Sequence, residues 1–161
     1  MTGRIVLFGY GNPSRGDDAL GPMLLERAET WLVGHPNLTV EPVADFQLQI
    51  EHVIDLQGRD LALFLDADMS CRRPFSFTRV LPDQDACFTT HELSPAAVLQ
   101  VYREVMGQEP PPAYVLGVRG ERFELGEPLS AEAAQHLDAA WDFLQQVLLN
   151  DSHLMLEEQI V

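Results

Sequence analysis

Ile5-Val6-Leu7-Phe8-Gly9-Tyr10-Gly11-Asn12-Pro13-Ser14-Arg15-Gly16-Asp17-Asp18-Ala19-Leu20-Gly21-Pro22 decides how the rest of the chain is read. Ile5 to Phe8 is an apolar run of β-formers. It enters a glycine-bearing turn and then a segment with helical spacing, so the stretch reads as strand, loop and helix start, the opening unit of an α/β fold. Two acidic residues stand at the helix mouth, where backbone N–H groups are unpaired and the dipole is positive. Asp17 and Asp18 are therefore expected to serve as N-cap or cation ligand, one each being an option. A dinucleotide turn is the rival reading. Gly9 and Gly11 supply the first two glycines of G-x-G-x-x-G, but Ser14 stands at the third, and two carboxylates would repel a pyrophosphate.

Outward from this unit, alternation continues. Ala19 to Leu32 places Leu20, Met23, Leu24, Ala28 and Trp31 on one helical face, with Pro22 in the first turn. Leu38 to Val43 is a short β-prone run. Ala44 to Gln49 leads into a second helix through about Leu56, on which His52 lies near the wet side. Asp60 to Asp66 is almost continuously apolar, the pattern of a buried parallel strand. Phe75 to Leu81 alternates at period two and reads as peripheral. Ser94-Pro95 opens a helix to Met106 in the manner of an N-cap followed by proline. Ala113 to Val118 is a further strand, and Ser130 caps a helix to Leu149.

This order predicts a three-layer α/β/α sandwich, a mostly parallel twisted sheet with helices on both faces. Residues 1–149 form one domain in this reading, and 150–161 an acidic tail expected to fray. The 161 residues suffice for a single core.

The formal charge is −15, and all ten cations are arginine. Without lysine there is no P-loop lysine, Schiff base or Ser–Lys nucleophile. So acidic a chain suits neither nucleic acid nor an anionic membrane; a basic or metal-bearing partner fits better. Cys71 and Cys87 form no C-x-x-C and read as reduced thiols. No charged-then-apolar leader opens the sequence and no apolar run approaches ~20 residues, so neither export nor a membrane span is expected, and a cytoplasmic location is.

In a doubly wound sheet, ligands gather beyond the carboxyl ends of the strands. Three loops bring hard or borderline ligands there: Asp17/Asp18, Asp66/Asp68 and His91. Alone, an aspartate at a helix start is more often a cap, and a histidine more often a surface residue. Asp66 weighs more, because an unpaired carboxylate after a buried run is expensive. Together, two carboxylates and an imidazole suit a borderline divalent ion with positions left open. Cys87 with His91 as a thiol–base pair lacks a third, orienting residue, and both G-x-S-x-G and H-E-x-x-H are missing.

Gly9-x-Gly11-Asn12-Pro13-x-x-Gly16-Asp17-Asp18-x-x-Gly21-Pro22, Leu65-Asp66-Ala67 and Thr89-Thr90-His91 resemble, in spacing and order, the hydrogenase maturation endopeptidases over about residues 4 to 149. That family removes a C-terminal extension from the large-subunit precursor of [NiFe] hydrogenase after the metal centre is assembled. The resemblance implies that Asp18, Asp66 and His91 are both the catalytic and the metal-ligating set. It further implies that nickel is supplied by the precursor, with no tightly held metal of the chain's own. Asp17, Asn12 and Asp68 are the expected supporting residues: Asp17 to orient Asp18 or hold a water, Asp68 as partner of a ligand. Many relatives carry an Asp-Gly-Gly-Thr-like segment where this chain has Asp45-Phe46-Gln47-Leu48. This departure resembles the version serving bidirectional, NAD-reducing hydrogenases, and makes Asp45, Phe46 and Gln47 candidates for substrate recognition. The alternatives are a non-catalytic nickel-sensing chaperone, and a small metallohydrolase holding its own zinc.

Overall fold

A computed structural model describes residues 3–83 and 93–150. Five strands, β1 (Arg4–Tyr10), β2 (Thr39–Asp45), β3 (Leu61–Asp68), β4 (Phe75–Val80) and β5 (Ala113–Arg119), form one sheet in the order β2-β1-β3-β5-β4. All neighbours are parallel except β4, which runs antiparallel to β5 at the edge. Leu61 to Leu65 is buried without interruption, because parallel strands at the centre are covered on both faces. β4 buries only Phe77, as its alternating sequence predicts for a peripheral strand.

Among the described residues three α-helices complete the layers: α1 (Leu20–Leu32), α2 (Pro95–Met106) and α3 (Ala131–Leu149). One face of the sheet carries α1 and α3 over Leu7, Leu63, Leu65 and Tyr114. The other carries α2 and a short 3-10 segment, Ile50–Leu56, over Val6, Phe8 and Phe64, with the Phe8 and Phe64 rings stacked 5.0 Å apart. The expected α/β/α sandwich is therefore the observed fold. The Ser94 and Ser130 hydroxyls accept the N–H groups of Ala97 and Ala133 at 3.1 and 3.2 Å, so both predicted N-caps are present.

Two local readings are corrected. Segment 44–49 does not start a helix. β2 runs on through Asp45 because parallel pairing with β1 continues to Tyr10 opposite Asp45, and the helical segment beyond Gln49 is 3-10 rather than α. Neither Asp17 nor Asp18 caps α1: a 3-10 turn, Gly16–Ala19, feeds directly into it, with no side-chain cap at either start.

The sheet order places the topological switch between β1 and β3. From β1 the chain crosses through α1 to β2 on one side, then returns by residues 50–56 to β3 on the other. Ligands bind at the carboxyl ends beside such a switch point. Asn150 ends the described chain, and the tail 151–161 lies outside the described residues. No described helix is long and apolar enough to cross a membrane.

Candidate functional site at the carboxyl edge of β1 and β3

The loop after β1 is folded back on itself. Gly11 has φ +145°, and a side chain there would collide with the Asp18 carbonyl, so only glycine lets the loop close. The Asn12 side chain accepts the Ser14 N–H at 2.9 Å, shaping the turn, while the Asn12 N–H donates to Asp18 Oδ2 at 2.8 Å. Asn12 thus supports Asp18 through its backbone. Gly21, in the first turn of α1, provides the second close approach. A Cβ at that position would lie 2.5 Å from the Tyr10 carbonyl oxygen and 2.7 Å from that of Leu65. The missing side chain lets the helix start press onto the ends of β1 and β3.

That approach brings Asp18 near Asp66, which sits toward the end of β3 opposite Gly117. Burial raises the Asp66 carboxyl from the usual aspartate range to about 7, and the Asp18 and Asp68 charges push it further the same way. The Ala67 N–H and a hydrogen bond from the Tyr10 side chain oppose this without cancelling it. A half-neutral carboxyl beside a second carboxylate is the electrostatic mark of a cation site or of a proton-exchanging site.

Asp17 behaves in the opposite way. It is fully buried, which alone would raise its pKa. Four hydrogen bonds win: Glu121 N–H at 2.6 Å, Arg122 N–H at 2.9 Å, Ser130 N–H at 2.8 Å and Ser130 Oγ at 2.7 Å hold its carboxyl below the ordinary range. Both oxygens are engaged, so Asp17 fixes the loop that leads from β5 to α3 instead of turning toward Asp18 or a water. Asp68 Oδ1 accepts from Ser70 N–H, Ser70 Oγ and Cys71 N–H, closing the turn after β3, and its charge reaches Asp66. Cys71 is half-buried and its thiol is raised by burial.

His91, with Thr89, Thr90 and Cys87, lies outside the described residues. Among the described residues no three histidine, cysteine or acidic side chains are grouped to hold a metal ion. The structure thus brings together two of the three side chains singled out from the sequence. Those two carboxylates suit a borderline divalent cation that still needs a further ligand.

Beside the Asp18 loop runs a groove of about 350 Å³, lined by Gly11, Pro13, Pro22, Ala44, Asp45 and Phe46. Phe46 stands 68% exposed at its lip, and Gln47 is half-buried next to it. Asp45 turns inward: Oδ1 accepts the Phe46 N–H at 2.7 Å and Oδ2 lies 3.3 Å from His52 Nε2. His52 is only 5% exposed, so it is a buried residue and not one on the wet side of its segment. Sequence reasoning passed it over, although its place three residues after Gln49 is the spacing of a capping box, which the structure contains.

No family model matches this chain, and no curated protein sequence matches it significantly. Solved structures do. The [NiFe] hydrogenase maturation protease HycI from Thermococcus kodakarensis is 25% identical, with a TM-score of 0.68, over 91% of this chain and 93% of that one. The hydrogenase maturating endopeptidase HybD from E. coli is 24% identical, TM-score 0.68, over 90% and 91%. A hydrogenase 2 maturation peptidase from a Thaumarchaeota archaeon is 20% identical, TM-score 0.61, over 91% and 98%. Over nine-tenths of its length, the chain has the fold of hydrogenase maturation proteases.

Proposed function

We propose that this chain is a processing endopeptidase that removes the C-terminal extension of a [NiFe] hydrogenase large-subunit precursor once nickel has been inserted. The likeness in fold to HycI and HybD supports a peptidase of this kind. The observation that carries the nickel part is the pairing of Asp18 with Asp66 beside the switch point, where desolvation and the neighbouring charge hold Asp66 at about 7. A cation relieves both the repulsion and the desolvation cost, so the site favours an ion that arrives with its client.

In this reading Asp18, Asp66 and His91 complete the coordination of nickel already held by the precursor, and the ion belongs to the substrate. Docking places the scissile peptide beside the metal, which polarises its carbonyl or lowers the pKa of a bound water toward ~7. Asn12 and Gly11 hold Asp18 in place from the backbone. Asp45 and Phe46 line the groove along which the client chain lies, with Gln47 next to them, and in this reading the segment 45–47 selects a client of the bidirectional, NAD-reducing class. The charge of −15 speeds encounter with a cationic partner.

Incubation with nickel-loaded and nickel-free precursor tests this reading. Shortening of the loaded form alone is the expected result. Binding without shortening of either form would make the chain a chaperone, and roughly stoichiometric zinc in the purified protein would make it a metallohydrolase with its own ion.

A further inference from the structure

One imidazole ties together both ends of the segment that carries Phe46. His52 Nδ1 accepts the Gln49 N–H at 2.8 Å, which leaves the ring proton on Nε2, and Nε2 faces Asp45 Oδ2 at 3.3 Å. The Gln49 side chain in turn accepts from the backbone of His52, completing a capping box. The ring packs edge-on against Phe8 of β1, centroids 5.7 Å apart, so it is anchored to the sheet and not to solvent. From Asp45 the contacts lead on to the ligand loop. Its carbonyl accepts the Gly11 N–H at 3.2 Å, and the next residue, Asn12, donates its N–H to Asp18 Oδ2. Phe46 is the exposed residue of this closed loop, its N–H held on the Asp45 carboxylate.

We propose that His52 is a positioning residue for client recognition: through Asp45 and Gln49 it staples residues 45–52 so that Phe46 stands fixed over the groove beside Gly11 and Pro13. An exposed aromatic on an untethered loop would lose most of its binding contribution to ordering on contact, and the staple removes that cost in advance. The client surface it fits is an apolar segment, matching the mainly apolar walls of the groove. This rests on the proposed processing reaction for its client, though not for its geometry.

Three substitutions separate hydrogen bonding from packing. His52→Phe keeps a ring against Phe8 but has neither nitrogen. His52→Gln returns a donor toward Asp45, and Phe46→Ala removes the aromatic alone. With nickel-loaded precursor, H52F raises KM about tenfold with kcat within twofold, and H52Q restores most of the loss. The F46A/H52F double variant is no worse than F46A alone, because His52 acts through Phe46. Amide exchange gives a reading independent of cleavage: Phe46 and Gln49 exchange at least tenfold faster in H52F, while the β1 and β3 amides keep their protection. Nitrogen chemical shifts of the wild-type ring report the Nε2–H tautomer. Wild-type exchange at Phe46 and Gln49 in H52F, a wild-type KM in that variant, or additive effects in the double variant each overturn the staple. Failure of the wild-type chain to cleave any precursor, with the exchange result intact, removes the processing reaction and leaves the staple standing.

Discussion

Asp17 and Asp66 are the same chemical group near one edge of the sheet, and their surroundings treat them in opposite ways. Asp17 is fully buried and saturated by four donors, which hold it ionised. Asp66 is half-buried with few donors and two like charges nearby, so desolvation holds it at about 7. A carboxylate whose acceptor sites are all filled by its own chain is structural. One left short of donors beside another acid is a candidate for binding something from outside.

Asp66→Asn and Asp18→Asn attack the binding side of this contrast. Processing of loaded precursor should fall at least roughly a hundredfold, several kcal/mol of transition-state stabilisation, while the folded protein persists. For Asp66 the folded-state value lies above the unfolded one, so its stabilising contribution is complete below the ordinary aspartate range and is lost as pH rises through about 7. Thermal melts at pH 8 should therefore show the Asp66→Asn variant at least as stable as wild type. A marked loss of stability there, or wild-type turnover, would erase the distinction between the two residues.

Asp17→Asn attacks the structural side. Replacing an acceptor-only group by an amide sets a donor against backbone donors, and should cost about 3 kcal/mol in urea unfolding. Because the Asp17 value is depressed, its contribution is present above the ordinary aspartate range and lost as pH falls through the folded value. The acid limb of the stability curve should flatten in the variant, and an unchanged limb would count against the four-donor account. Gly21→Ala tests the approach that brings the two acids together. The added carbon meets two carbonyl oxygens at 2.5 and 2.7 Å, so destabilisation of about 2 kcal/mol is expected, along with slower processing. The smallest effect concerns binding. If Asp66 ligates the client's nickel, the ion displaces its proton, so affinity for loaded precursor should weaken about tenfold for each pH unit below about 7 and level off above it. In Asp66→Asn that slope should vanish.

Much of the fold was legible in the chain. The uninterrupted apolar run of β3, the alternation of β4, and the Ser94 and Ser130 caps each follow from local physics, and local physics is what a sequence displays. The pairing of Asp18 with Asp66 was legible as one acid at the helix mouth after β1 and one at the end of the buried run of β3. The features that escaped depend on partners far away. Asp17 read as a helix cap or ion ligand because its donors lie 104 to 113 residues further on. The 44–49 segment read as the lead into a helix because nothing local announces that pairing with β1 carries β2 to Asp45. His52 read as half-wet because its acceptor role toward Gln49 and its contact with Asp45 exist only once that strand is extended.

The tether from position 17 to Glu121, Arg122 and Ser130 also bears on synthesis. A nascent polypeptide leaves the ribosome amino end first, so the earliest acidic loop emerges long before the donors that lock it. Until residue 130 is out, that loop has no anchor, and a half-made chain carries no finished grip for a metal ion. On the proposed reading, the grip for the client's ion is complete only after Ser130 has emerged.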